Sequence, residues 1–121
     1  MLLVATRVLI VDDHPSFRAT ARALLEAEGF EVVGEADTGV SGLRAALELQ
    51  PDVVLLDVQL PDFDGFEVAA RLTRRNGDAP AVVLTSSRDA SDFGPLVAES
   101  GAKGFVPKAE LSGGALATLI G

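Results

Sequence analysis

The sequence predicts an α/β fold: a parallel sheet with helices packed on both of its faces. Three observations predict it. The runs Val8-Leu9-Ile10-Val11, Val53-Val54-Leu55-Leu56 and Ala81-Val82-Val83-Leu84 are apolar at consecutive positions, as strands buried on both faces are. Stretches with helical spacing separate them, the pattern of strand–helix–strand units. Acids stand directly after the first two runs, Asp12 and Asp13 after one and Asp57 after the other. Ligands of an open α/β sheet bind just beyond the carboxyl ends of its strands.

Each element has its own signal. Residues 7–11 read as strand 1. Residues 15–28 read as helix 1, with Phe17, Ala21, Leu24, Leu25 and Glu28 at helical spacing, the apolar ones inward, and Gly29 as its stop. Phe30 to Ala36 read as strand 2. Helix 2 covers about 39–50 with Val40, Leu43 and Leu47 on one face, and Pro51 ends it. Strand 3 is 53–57, and Asp64 is a good N-cap for helix 3 at 65–75. Asn76-Gly77-Asp78 reads as a turn, and Pro80 opens strand 4 at 81–84. Gly94-Pro95 obstructs helix 4. It should start late, with Asp92 or Phe93 near its cap, run to about Ser100, and leave 88–92 an irregular loop. Lys103 to Val106 read as strand 5, and 110–120 as a weak helix 5 containing Gly113-Gly114, each costing about 1 kcal/mol relative to Ala.

Composition sets the bounds. A chain of 121 residues, 48% of them hydrophobic, fits one domain with a real core. No cysteine is present, which excludes disulfides, thiolate nucleophiles and cysteine-ligated metals. No apolar run approaches the ~18 residues of a membrane span. Met1 to Ala5 lack the basic flank of a secretory signal, so a cytoplasmic protein is expected. A net charge of −8 disfavours direct contact with nucleic acid. The best basic patch, Arg71, Arg74 and Arg75, reads as the solvated end of a helix.

Each polar residue at a strand end also has a plain reading. A lone Asp there is usually a turn former or helix cap, and Asp12-Asp13 before Pro15 could cap helix 1. Thr85, Ser86 and Ser87 could be turn hydroxyls and Lys108 a surface amine, and His14 could be an electrostatic neighbour of the acidic pocket or merely the residue before Pro15. The coincidence tips the balance. Acids follow strands 1 and 3, hydroxyls strand 4 and an amine strand 5, all on one edge of the sheet. Carboxylates ~4 Å apart repel by a few kcal/mol at an effective dielectric of about 20, so the cluster needs a cation. Oxygen ligands point to Mg²⁺. With no second His and no Cys, a transition-metal site is not expected.

The segments Val11-Asp12-Asp13-His14-Pro15, Leu55-Leu56-Asp57-Val58-Gln59-Leu60-Pro61-Asp62-Phe63-Asp64-Gly65, Val83-Leu84-Thr85-Ser86 and Gly101-Ala102-Lys103-Gly104-Phe105-Val106-Pro107-Lys108 together make the chain resemble the receiver domain of bacterial two-component response regulators. The resemblance spans essentially all of 1–121, read as a single receiver domain without an output domain. The His14-Pro15 pair most resembles receivers of helix-turn-helix transcription regulators. The resemblance implies a flavodoxin-like, doubly wound sheet of five parallel strands in the order 2-1-3-4-5, with five helices, the fourth and fifth short.

It also implies roles. Asp57 would be the phosphoacceptor, a carboxylate nucleophile. Asp13, Asp57 and the Gln59 carbonyl would ligate Mg²⁺ directly, and Asp12 mainly through water. Lys108 would pair with a phosphoryl oxygen, Thr85 would donate its hydroxyl to another, and Phe105 would be the aromatic that turns inward on phosphorylation. Gln59 and Ser87 would flank the water path that sets the lifetime of the acyl phosphate. Thr85 follows the strand pattern, whereas counting back from Lys108 selects Ser86. Ala109 stands where the family usually has Pro, so no cis peptide is expected there.

The function expected is a stand-alone phosphoacceptor switch, not an enzyme beyond its own phosphorylation and dephosphorylation. A sensor histidine kinase or phosphotransfer protein would load it, and it would signal to a downstream protein. A homodimer through the face of helix 4, strand 5 and helix 5 is a further expectation, with no contact to nucleic acid and no membrane insertion. The alternatives are a receiver-like interaction module that does not use phosphate, or a receiver piece trimmed from a DNA-binding transcription regulator. An aspartyl-phosphate hydrolase ranks low, because Asp57-Val58-Gln59 lacks a second acid two residues on.

Overall fold

The structure, a computed structural model, describes residues 5–75, 77 and 79–121. Five strands, β1 (Arg7–Val11), β2 (Glu31–Ala36), β3 (Val53–Asp57), β4 (Ala81–Ser86) and β5 (Gly104–Pro107), form one parallel sheet in the order β2-β1-β3-β4-β5. The helices are α1 (Pro15–Ala27), α2 (Gly39–Leu49), α3 (Gly65–Thr73), α4 (Leu96–Glu99) and α5 (Gly113–Ile120). This is the doubly wound, flavodoxin-like order the sequence predicts. No helix among the described residues is long and apolar enough to cross a membrane.

Successive strand side chains point to opposite faces, so each central strand feeds two cores. Leu9, Val11, Val54, Leu56, Val82 and Leu84 pack with Ala46 of α2 and Val68, Ala69 and Leu72 of α3. Val8, Ile10, Val53, Leu55, Val83 and Val106 pack with Ala21 and Leu25 of α1 and Leu116 of α5. The crossovers put every strand's carboxyl end on the same edge, which is how residues as distant as Asp12 and Lys108 meet.

Several boundaries differ from expectation, each for a physical reason. Helix α1 ends at Ala27, and Gly29 takes a positive φ of 95° after it. In α2 the inward face is not Val40 and Leu47, which are 48% and 61% exposed. It is Gly39, Gly42 and Ala46. At Gly42 the helix lies too close to the sheet for a larger residue, since a Cβ there would come within 2.8 Å of Val11 Cγ1, while Leu43 packs on the core as expected. Strand β4 continues past Leu84 through Thr85 and Ser86, because Thr85 and Ser86 find partners in Val106 and Pro107 of β5.

The fourth helix starts later than expected and is shorter. A 3₁₀ turn, Ala90–Phe93, occupies part of the anticipated loop. Gly94 then turns sharply at φ 57°, ψ −130°, and Pro95, not Asp92 or Phe93, caps the single turn of α4. Strand β5 is shifted one residue, to Gly104–Pro107. Lys108–Glu110 form a second 3₁₀ turn, so α5 starts at Gly113 rather than 110. Its two glycines therefore lie in the first turn, not the interior, and Ser112 caps it by accepting from Ala115 N–H. In the expected turn 76–78, Gly77 has φ 78°, while Asn76 and Asp78 lie outside the described residues.

Candidate functional site

Asp12 follows β1, and its N–H donates to the Ala36 carbonyl at 2.9 Å, which extends the β1–β2 ladder by one residue. Its carboxylate is fully buried. Asp13, next in the chain, is partly exposed. Asp57 ends β3 and is buried, with Oδ1 accepting from Gln59 N–H at 3.2 Å. The loop after it turns back tightly: Val58 N–H donates to Thr85 O at 3.0 Å, and Gly65 N–H to Val58 O at 2.6 Å. A side chain at Gly65 would overlap the Asp57 carbonyl oxygen. Asp62 ties the same loop to α2, accepting from Gly39 N–H at 2.7 Å and Val40 N–H at 2.9 Å. These backbone donors, Val40 first, hold its carboxyl below the usual range.

Lys108 comes from the far side of the crevice, across the ring of Phe17 at 4.4 Å. Its Nζ lies 2.7 Å from Asp12 Oδ2 and 3.3 Å from Asp57 Oδ2. The first contact is an ion pair off the hydrogen-bonding direction, so Asp12 Oδ2 is buried without a hydrogen-bond partner. Burial first, then the charge of Asp12, push the Asp57 carboxyl up from 3.8 to about 6, against the opposing pull of the Gln59 N–H and Lys108. One Lys ammonium does not balance this set of acids.

Of the two further contributors, His14 takes the first of its two sequence readings, a neighbour of the acidic pocket, and Arg18 was not singled out. The His14 ring stands among the acids, its Nδ1 2.9 Å from Asp12 Oδ1, 3.1 Å from Asp13 Oδ1 and 3.8 Å from Asp57 Oδ2. Its position beside Asp13 and just before Pro15, which starts α1, was the signal available. Arg18 donates to the Asp12 carbonyl at 2.6 Å and pairs with Glu35, whose carboxyl Arg22 and Arg18 hold low.

The hydroxyls divide. Thr85 Oγ1 is buried and donates to Val106 O at 2.6 Å. Ser86 is also buried, but its oxygen only accepts, from Arg88 N–H at 3.1 Å, which leaves its proton unspent. Ser87 and Gln59 are exposed on the rim. Phe105 is half-buried against Phe93, at 5.7 Å between ring centroids, and Phe93 meets Phe66 at 5.5 Å. Asp12, Asp13, Asp57, Lys108 and His14 are thus brought together; Thr85 is tied to β5, and Gln59 reaches the site through its backbone N–H.

The residues present fit a hard divalent cation. Asp12, Asp13, His14 and Asp57 each offer an atom in a group no more than 4.8 Å across, somewhat wider than the ~4.2 Å between opposite ligands of an octahedral ion at ~2.1 Å. The Asp12 oxygen without a hydrogen-bond partner and the raised Asp57 carboxyl are both what a cation would relieve.

Fold and site together define a flavodoxin-like domain with an acidic crevice at its strand ends and a lysine reaching in from the last strand. The sequence profile of the response regulator receiver domain matches residues 8–118. The chain belongs to that family, a signalling domain of two-component systems. It is 47% identical over 104 residues to the virulence-factor positive transcription regulator BvgA of Bordetella pertussis, a match covering 86% of this chain and 49% of BvgA. It is 41% identical over 103 residues to the transcriptional regulatory protein LiaR of Bacillus subtilis, covering 84% and 48%. The chain spans about half the length of the curated relatives it matches. Among solved structures, the signal receiver domain of a NarL response regulator from Mycobacterium tuberculosis superposes with a TM-score of 0.85 at 35% identity, covering 98% of this chain and 99% of that one.

Proposed function

We propose that Asp57 is the phosphoacceptor of this receiver and that Mg²⁺ is its cation, held by Asp12, Asp13, Asp57 and the Gln59 carbonyl. One observation carries the reading: three acids from two strands and Lys108 from a third converge on one buried carboxylate whose charge is incompletely balanced. An Asp57 oxygen attacks the phosphorus of a phosphohistidine on a kinase or phosphotransfer protein. A P–O bond forms, the P–N bond breaks, and the histidine nitrogen keeps the electron pair. Bound Mg²⁺ would offset charge on the carboxylates and phosphoryl oxygens. Lys108 takes one phosphoryl oxygen as a point charge. Gln59 and Ser87 stand on the rim and tune the entry of hydrolytic water.

For the hydroxyl, Ser86 is the alternative to Thr85, the residue in register with Asp57. Leu84 and Phe105 are paired in register and share one core, while Val83 and Val106 share the other. Alternation puts Ser86 on the Phe105 side and Thr85 on the opposite one. By the same count Asp57 shares the side of Thr85, so a test must separate the two. Ser86→Ala should uncouple Phe105 from phosphorylation, seen as loss of the phosphorylation-dependent ¹⁹F shift of fluoro-Phe105. Thr85→Val should keep that shift and lower stability instead. The reverse pattern would restore Thr85 to the role.

Output would run through α4, β5 and α5, where a groove of about 310 Å³ is lined by Phe105, Pro107, Ala115 and Leu119. A downstream protein or a second copy of the chain would close over it. The longer relatives BvgA and LiaR are transcription regulators. The decisive test is intact-mass spectrometry after treatment with Mg²⁺ and a small phosphodonor. A single labile adduct in wild type and none in Asp57→Asn is expected. No adduct in wild type would leave an interaction module, and rapid turnover of donor would make it an enzyme.

A further inference from the structure

The receiver reading assigns the cation to oxygen ligands and gives His14 no role. The structure does not leave it on the periphery. Its backbone N–H donates to Asp12 Oδ1 at 2.8 Å, and Pro15 fixes the chain direction behind it as α1 begins. His14 is the N-cap residue, yet its side chain makes no capping bond. The ring is 61% exposed, so core packing does not hold it either. What holds it is a hydrogen bond between Nδ1 and Asp12 Oδ1 at 2.9 Å, which aims Nδ1 at the acids. The distances of 2.9 and 3.1 Å to Asp12 and Asp13 oxygens match the ~3 Å between adjacent ligands of one octahedral ion.

We propose that His14 supplies a ring nitrogen to the cation site, making it a mixed nitrogen–oxygen site that favours Mn²⁺ or Co²⁺ over Mg²⁺ more than an all-carboxylate site would. The independent sign of a missing ligand is Asp12 Oδ2, buried in the same crevice without a hydrogen-bond partner and met only by the off-axis ammonium of Lys108 at 2.7 Å. Carboxylates suit Mg²⁺ and Mn²⁺ alike, whereas imidazole adds affinity for later first-row metals and little for Mg²⁺. The adjacent Lys108 Nζ, 3.5 Å from Nδ1, would be displaced toward the phosphoryl side as the ion enters. The inference rests on a cation binding at this acid cluster, as the receiver reading requires.

The test uses the fact that this chain has one histidine. With ¹⁵N-histidine label, one imidazole pair is observed. Stoichiometric diamagnetic Zn²⁺ should move the Nδ1 resonance to a metal-bound position, and Co²⁺ should give a visible absorption band of mixed ligation that His14→Ala lacks. In His14→Ala the Mn²⁺-to-Mg²⁺ affinity ratio should fall by about tenfold, with Mg²⁺ affinity within about twofold of wild type. If the backbone amides of Asp12, Asp13 and Gln59 shift with Mg²⁺ or Mn²⁺ but Nδ1 stays unmoved and the ratio is unchanged, His14 is no ligand and this inference alone fails. If no divalent cation shifts those amides, the cation reading itself fails and takes this one with it.

Discussion

Helices α1, α2 and α3 run for 13, 11 and 9 residues and cover β1 to β4, whereas α4 and α5, toward the β5 edge, run for 4 and 8. Strand β3 is buried throughout, and β1 is buried in all but Arg7, but in β5 only Val106 is. The acids stand on the thicker half. Lys108, the candidate hydroxyls and Phe105 stand on or beside the thinner one. The ion pair between Lys108 and Asp57 therefore spans the division between them. A site that must hold charges in fixed places and also report a change needs one half that resists and one that yields, and the lengths of the helices supply that difference.

The comparison can be broken first by removing core. Leu56 is fully buried in β3, and Leu56→Ala should lower unfolding free energy by about 2–5 kcal/mol. Leu96→Ala in exposed α4 should change it by less than ~0.5 kcal/mol. Equal losses in urea titrations would mean the thin half carries as much stability as the thick one.

Next comes the charge at the boundary. Asp57 folds with its carboxyl raised from 3.8 to about 6. A raised acid contributes stability that is fully present below pH ~4 and is lost as pH rises through about 6. Asp57→Asn should therefore stabilise the protein in chelator at pH 7.5 by on the order of 2–3 kcal/mol, and the gain should shrink toward zero near pH 4. A gain independent of pH would assign the effect to packing instead.

A smaller effect sharpens the contrast within the helices. Ser112→Ala and Thr38→Ala each remove a side-chain cap worth about 1 kcal/mol. In α5 the loss should appear as faster hydrogen exchange confined to 113–120. In α2, also held by Asp62, exchange should rise less. The smallest effect is Leu47→Gln on the exposed face of α2, expected within ~0.5 kcal/mol of wild type in a thermal melt.

The strands were legible because consecutive apolar residues leave few alternatives for a chain this size, and Asp12, Asp13, Asp57 and Lys108 were legible because each follows one. The inward face of α2 was not. Periodicity reads large apolar residues as inward, but there the buried positions are Gly39, Gly42 and Ala46, with Leu43 packed at their flank and Val40 and Leu47 exposed. The start of α5 was missed because Gly113-Gly114 look like breakers until Ser112 is seen capping them. The lateness of α4 could be read from Gly94-Pro95, but its reduction to one turn depends on the φ that Gly94 adopts. The two readings of His14 stayed open in the sequence because one-dimensional spacing says nothing of where a ring turns.

Gly65 has a bearing on heredity as well as geometry. Every other amino acid brings a Cβ, and a Cβ there overlaps the carbonyl of Asp57 and crowds Val58 Cα at 2.7 Å. No replacement is conservative, because the smallest one already collides with main chain, which has no rotamer to yield. Lineages of this chain can drift at Val40 or Leu47 with little consequence, but at position 65 each missense change alters where the backbone of Asp57 sits. The codon is a point at which variation is either silent or disabling.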